Sequence, residues 1–205
     1  MKTLIAVPCM DQVPALFCNS LARLKLVGDC MLEMKMSSLV YMSRNDLGKS
    51  AIARECDYVL WLDSDQVFEP DLLERMFKVM QDNDLDILSG VYYRRVPPYS
   101  PVLMKSLEWA DGKATWSEYS KLPETLFEVG GAGFGCVLMS TDVLMSVQSK
   151  FSTMFQPVQG MGEDLAFCWR ARQCGYRIMC DPSIEVGHVG QAVINGMYWR
   201  AHNES

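Results

Sequence analysis

Apolar and polar positions follow two alternating periods from the N-terminus to Arg95. The stretch KTLIAVPC is a short apolar run that reads as a strand ending at Pro8. Pro14 then opens a helix in which Ala15, Leu16, Leu21, Ala22 and Leu24 fall on helical spacing. In CMLEMKMSS, Met31, Glu33 and Lys35 alternate with Leu32, Met34 and Met36, the period of two expected of a second strand. SRNDLGKSAIARECD reads as a loop and a helix. Tyr58 to Leu62, mostly β-branched and aromatic and too short for a helix, form a third, buried strand. EPDLLERMFKVMQDND places Leu72, Leu73, Met76, Phe77 and Met80 on one helical face, with Pro70 near its start. DILSGVYYRR supplies a fourth strand. This order predicts an α/β fold with an open, mostly parallel sheet flanked by helices.

After Arg95 the pattern changes. The segment from Val96 to Gly131 is rich in proline, aromatics and turn signals, with short strands at PVLMK and around LFEVG, which predicts a small antiparallel addition or a flap. The glycine cluster GGAGFGC enters the apolar strand CVLMS, and Thr141 caps a short helix, DVLMSVQSKF. GMGEDLAFCWRARQCGYRIMC gives a helix stopped by Gly175 and a strand, and a second short strand ends in GHVG.

The chain has 205 residues, enough for one domain with a substantial core. Within residues 1–205 the reading assigns 1–95 to a ligand-binding half and 96–205 to a second half carrying the remaining chemistry. A net charge of −6 and the lack of any basic run argue against a nucleic-acid groove, though not against a local pocket for one phosphate group. No apolar stretch approaches the length of a membrane span, and the run before Pro8 is too short for a secretory leader. The eight cysteines include no Cys-x-x-Cys pair and sit mostly in apolar segments. They are expected to be reduced core thiols, and the location cytoplasmic.

Five features carry candidate chemistry. Asp63-Ser64-Asp65 follows directly on a buried strand, and ligands bind outside the carboxyl ends of such strands. Extended alternation would point Asp63 and Asp65 the same way, where their charges call for a cation. The same residues are also good turn and cap formers. Glu163-Asp164 open a helix behind Gly160 and Gly162, which allow close backbone approach, although the helix dipole alone favours acids there. His188 stands between glycines and suits either a structural role or a metal. The Gly cluster admits either a ligand near Gly131 to Gly133 or a β-bulge, and matches no Walker or dinucleotide motif. Arg44 has a planar donor fork suited to a phosphate or a base edge; Arg44 and Asn45 also fit a surface arginine beside a cap.

In this order, DYVLWLDSDQVFEP, GGAGFGCVLMS and GMGEDLAFCWRARQCGYRI…VGHVG resemble a nucleotide-sugar glycosyltransferase of GT-A fold. The likeness is to family 2, with a Gly-Glu-Asp helix and downstream histidine similar to polypeptide N-acetylgalactosaminyltransferases. It runs from the first strand to His188 and is weakest from Pro97 to Glu124. The resemblance implies a Rossmann-like sheet and transfer of a sugar from a nucleoside diphosphate sugar, UDP favoured and GDP possible, to an unidentified acceptor hydroxyl. It implies Mn²⁺ or Mg²⁺ held by Asp65 and His188, with Asp63 at the metal or the ribose and Ser64 beside the nucleotide. It further implies a nucleotide seat at Pro8, Cys9, Met10, Arg44 and Asn45, backbone contacts at Gly131 and Gly133, and Asp164 or Glu163 as general base if the reaction inverts. The alternatives are a nucleotidyltransferase, disfavoured because PCMDQVPAL carries neither Gly nor Lys, and a degenerate glycan-binding module. Tyr198 and Trp199 in the tail QAVINGMYWRAHNES could stack on a sugar or pack on the core.

Overall fold

The computed structural model describes residues 1–190 and 193–203; Gln191, Ala192, Glu204 and Ser205 lie outside the described residues. The order is β1 (Lys2–Cys9), α1 (Ala15–Arg23), β2 (Asp29–Met36), α2 (Val40–Ala53), β3 (Tyr58–Leu62), β4 (Gln66–Val67), α3 (Leu72–Asn83) and β5 (Ile87–Val91). There follow β6 (Leu103–Ala110), β7 (Lys113–Glu118), β8 (Phe127–Val129), β9 (Gly131–Ala132), β10 (Cys136–Ser140), α4 (Thr141–Phe151), α5 (Glu163–Gln173), β11 (Ile178–Glu185), β12 (Gly187–Val189), β13 (Val193–Ile194) and α6 (Gly196–Asn203).

A seven-stranded sheet, in the order β2-β1-β3-β10-β5-β11-β8, forms the centre. β1 pairs in parallel with β2 and β3, and β5 with β11, whereas β10 and β8 run against their neighbours. Strands from both sides of Arg95 therefore alternate in one sheet. Two smaller antiparallel sheets, β13-β12-β4 and β7-β6-β9, attach at its edge.

Strand alternation divides the core into two layers. Leu4, Ala6, Val59, Trp61, Val137 and Met139 pack with Leu47 and Ala51 of α2, Val143 and Leu144 of α4, and Phe167 of α5. The intervening Ile5, Val7, Leu60, Leu62 and Leu138 pack with Phe17 of α1 and with Leu72, Leu73, Met76, Phe77 and Met80 of α3. The α3 face is the one its periodicity predicts. The α1 face is the predicted one only in part: Leu21 and Leu24 pack inward, but Ala15, Leu16 and Ala22 are exposed, and Phe17 and Ser20 turn inward instead, Phe17 meeting Phe68 edge-on. On the edge strand β2, Met31, Glu33 and Lys35 are the half-buried row and Leu32, Met34 and Met36 the exposed one. Glu33 and Lys35 tie to α2 through Ser50 and Asp46, which decides the facing against hydropathy.

Three local expectations shift. α2 begins at Val40, earlier than its polar start suggests. The β6–β7 hairpin turns on Asp111 and Gly112, both at positive φ, and β7 is too exposed to carry an apolar signal. Thr141 is the first residue of α4 rather than its cap: Ser140 holds the cap position, and Thr141 Oγ1 is buried with no hydrogen-bond partner among the described residues. Gly175 ends α5 at φ +92, as its position predicts. All eight cysteines are free thiols, and burial pushes those of Cys136 and Cys168 up to about 12. Among the described residues no helix is long and apolar enough to cross a membrane.

Gly130 shows how tightly the second sheet is docked. A Cβ there would lie 2.7 Å from the backbone nitrogen of Leu107 and 2.7 Å from the carbonyl carbon of Ser106, atoms that a rotamer change cannot move. Gly130→Ala is expected to lower stability by about 1–3 kcal/mol, read as a lower urea midpoint at unchanged slope.

Candidate active site

The parallel strands end along one edge, and the chain's conspicuous polar residues gather there. β1 delivers Pro8, Cys9 and Met10, the turn after β3 delivers Asp63, Ser64 and Asp65, and β5 leads into Tyr92, Arg94 and Arg95. With Ser43, Arg44, Glu163 and His188, these line a cavity of about 590 Å³. Residues 119 positions apart are thus brought to one wall, as a sheet open at its carboxyl ends permits.

Asp63 and Asp65 reach the cavity without extended alternation. β3 stops at Leu62, and Gln66 N–H donates to the Asp63 carbonyl at 3.2 Å, closing a turn over Asp63–Gln66. The two carboxylates therefore diverge. Asp63 Oδ1 accepts from Arg44 Nη2 at 2.7 Å. Asp65 Oδ2 lies 3.0 Å from Arg95 Nη1 and 3.3 Å from His188 Nε2. Burial alone would raise the Asp65 carboxyl, but His188 and then Arg95 outweigh it and hold it below its ordinary value.

His188 is held by backbone. β4 follows the turn directly and pairs with β12, so that His188 lies opposite Gln66 and Val189 N–H donates to the Asp65 carbonyl at 2.8 Å. On its other side, His188 Nδ1 is 2.8 Å from the Tyr93 carbonyl. A carbonyl can only accept, so Nδ1 carries a proton, and Nε2 faces Asp65 either as a second N–H donor or, in a ring without that proton, as a lone pair. Two acceptors face each other unless a proton or a cation lies between them. That donor set, one carboxylate and one imidazole with its tautomer fixed, fits a divalent ion completed by oxygens from elsewhere. Asp63 does not join it, being committed to Arg44. Among the described residues no group of three or more His, Cys, Asp or Glu is arranged around a cation.

Arg44 is a buried brace. It is 2% exposed; Nε reaches Glu163 Oε1 at 3.4 Å, Nη1 donates to the Phe134 carbonyl at 3.5 Å, and the guanidinium lies over the rings of Trp61 and Phe134. It lines the cavity, but its donor fork is largely committed to the protein. Asn45 turns away altogether: its Oδ1 accepts from Met154 N–H and Phe155 N–H, and it lines a different depression.

Glu163 and Asp164 open α5 behind Gly162, with no side-chain cap. Glu163 lines the cavity. Asp164, partly buried beside it, accepts the Leu165 N–H at 2.7 Å. Burial first and then Glu163 push its carboxyl up to about 6, with Asp63 adding to the rise and Leu165 N–H and Arg44 opposing it. Gly160 and Gly162 lie outside the cavity wall; the former serves a turn at φ +85.

The glycine cluster faces protein. Gly131 is buried against Leu107 and Leu165, and a Cβ on Gly133 would collide with Tyr92 Oη. Neither lines the cavity. The smallness of Gly133 and Gly135 leaves room for Tyr92, which takes a hydrogen bond from Gly135 N–H and meets His188 edge-on. Tyr92, Ser43 and Arg95 are site residues that sequence reasoning missed. Only the dipeptide Arg94-Arg95 at the end of a strand gave a signal. Tyr198 and Trp199 pack on Tyr99 and Tyr93 of the loop after β5, at the margin of the core layer formed with α2, α4 and α5.

The buried brace gives a direct test. Arg44→Met keeps the side chain's bulk and leaves Asp63 and Glu163 without their counter-ion, with an expected stability loss of about 3–5 kcal/mol at pH 7. Chemical denaturation of both proteins across pH checks it: the deficit should shrink as the carboxylates are protonated in acid.

Comparison with known proteins bears on the fold and on the segment around β3. Residues 52–147, a little under half of the chain, match the family model described as glycosyl transferase family 2. The matched stretch contains Asp63 and Asp65 and stops before Glu163, Asp164 and His188. No curated protein sequence matches the chain. Among solved structures, one titled "Crystal Structure of A197 from STIV" superposes with a TM-score of 0.69 at 18% identity, over 93% of this chain and 86% of that one. At that identity the likeness is one of fold. The chain is thus similar to glycosyl transferase family 2 through its strand-and-turn segment and has a fold shared by a solved structure over nearly its whole length.

Proposed function

We propose that this chain is a glycosyltransferase that moves a sugar from a nucleoside diphosphate donor, UDP favoured, to an acceptor hydroxyl. The observation that carries the reading is the convergence of Asp63, Asp65, Arg44, Glu163 and His188 on one cavity at the carboxyl ends of the sheet. The match to glycosyl transferase family 2 supports the same chemistry. Ser43, at the cavity wall, has a buried hydroxyl with no hydrogen-bond partner among the described residues.

Asp65 and His188 would hold Mn²⁺ or Mg²⁺, which supplies neutralisation of charge on a departing diphosphate. Pro8, Cys9 and Met10 offer a partly apolar wall for base and ribose, and Ser64 a hydroxyl next to the carboxylates. For an inverting reaction Asp164 is the base. A carboxyl near 6 is ionised at neutral pH and still basic enough to take a proton. The acceptor oxygen bonds to the anomeric carbon, the bond from that carbon to the phosphate oxygen breaks, and the hydroxyl proton passes to Asp164. Glu163, tied to Arg44, fixes the start of the helix that presents it.

The primary test is incubation with a panel of nucleotide sugars and Mn²⁺. Release of a nucleoside diphosphate is expected; pyrophosphate would indicate a nucleotidyltransferase, and no product a glycan-binding module. Asp65→Ala should abolish transfer and His188→Ala weaken it strongly, with EDTA inhibiting and Mn²⁺ restoring the wild type. Asp164→Asn should lose about 10²–10⁴-fold in turnover while still binding donor in a calorimeter. Wild-type kcat/KM should fall about tenfold per pH unit below pH 6 and be flat above it.

The same residue makes a separate stability prediction. Its folded pKa is raised, so between about 4 and 6 the native state binds a proton that the unfolded chain has released, and stability declines as pH rises through that window. Asp164→Asn lacks this penalty. It should be more stable than wild type by about 1–2 kcal/mol at pH 8, with no such gain near pH 3.5.

A further inference from the structure

Asp65 Oδ2 is shared by His188 and by Arg95, and the second of these has no part in the reaction described above. Arg95 comes from the loop after β5, whose stem is fixed. Arg94 N–H donates to the Ser100 carbonyl at 3.0 Å, Val102 N–H donates to the Tyr92 carbonyl at 2.9 Å, and Tyr93 bridges Pro101. The His188 ring hangs from the same stem through Tyr93. The backbone of Arg95 is therefore held next to the proposed cation position, while its side chain, half exposed, is free to swing. Arg95 itself lines the cavity, as do Arg94 and Val96 on either side, so its guanidinium stands beside the space a donor would fill.

We propose that Arg95 is a diphosphate-binding residue that occupies the cation's place at Asp65 in the free protein and moves to the donor's phosphates when cation and donor bind together. This rests on the cation and donor reading given above. A cation arriving alone must displace Arg95 and leave it without a partner. A cation arriving with a nucleoside diphosphate displaces it onto phosphate oxygens, which the planar guanidinium matches with two parallel hydrogen bonds. Each ligand thus lowers the cost of binding the other, and by linkage the coupling is reciprocal. Arg44 cannot take this role, because its donors are committed to Asp63, Glu163 and Phe134.

Arg95→Gln removes the charge and keeps hydrogen-bonding capacity. Binding of Mn²⁺ alone, followed by electron paramagnetic resonance of the free ion, should be about two- to fivefold tighter than in wild type, the scale of a half-exposed ion pair. Binding of UDP at saturating Mn²⁺, followed by calorimetry, should be about tenfold weaker, and Arg95→Lys should fall between. The opposite signs are the signature, since general loss of structure weakens both; unchanged circular dichroism excludes it. GDP is run in parallel in case UDP is the wrong base. If wild type binds Mn²⁺ and nucleotide cooperatively but Arg95→Gln leaves Mn²⁺ affinity equal or weaker, Arg95 does not hold the cation's place and the proposal is overturned while the cation reading stands. If wild type binds Mn²⁺ with neither nucleotide, the cation reading fails and this proposal with it.

Discussion

A guanidinium taken out of water must be met by charge and hydrogen-bond acceptors on every side, and Arg44 meets that demand with three distant pieces of chain. Asp63 at the end of β3, Glu163 at the start of α5 and the Phe134 carbonyl before β10 all converge on it. Trp61 and Phe134 wall it from solvent, which strengthens each pairing and penalises any that is missing. The spacing between α2, the β3 turn and α5 is thereby fixed by one side chain. Asp164 close by is raised first by its own burial and then by Glu163, and Arg44, already paired with Asp63 and Glu163, opposes that rise only in part. The brace thus sets the site's shape.

The two aspartates after β3 divide the work because a turn lies between them. Had the strand continued, both would have faced one way. Instead Asp63 is drawn inward by Arg44 and Asp65 outward to His188. β4 begins one residue after Asp65 and recruits β12 by backbone pairing, which carries a histidine 123 positions downstream to the same carboxylate. Backbone placement of this kind suits a ligand site, since the ring's position survives changes in the surrounding side chains. The glycines before β10 have a matching purpose one layer below. They leave the room that Tyr92 fills, and Tyr92 supports the His188 ring.

Much was legible in the chain itself. The alternation of short apolar runs with the α3 pattern fixed an open α/β sheet, because burial on both faces of a strand and on one face of a helix writes different periods into a sequence. The acids after β3, the acids opening α5 and the histidine between glycines stood out because each breaks the pattern around it. The reversed direction of β10 was not legible, since a strand buried on both faces has the same composition whichever way it runs. The facing of β2 was misleading, because Glu33 and Lys35 satisfy Ser50 and Asp46 on the half-buried side while methionines lie outside.

What only the tertiary structure decided is which polar residue meets which. Sequence marks Arg44, Asn45, Gly131 and Gly133 as candidate ligand contacts; the fold makes the first a brace, the second a tie to Met154 and Phe155, the third a close contact of Leu107 and Leu165, and the fourth room for Tyr92. It also puts Arg95 on Asp65, a pairing across 30 positions that no local rule announces. The physical reason is range. Propensity and periodicity act over a few residues and so are written locally, whereas charge pairing and close packing depend on distances that exist only once the strands have assembled.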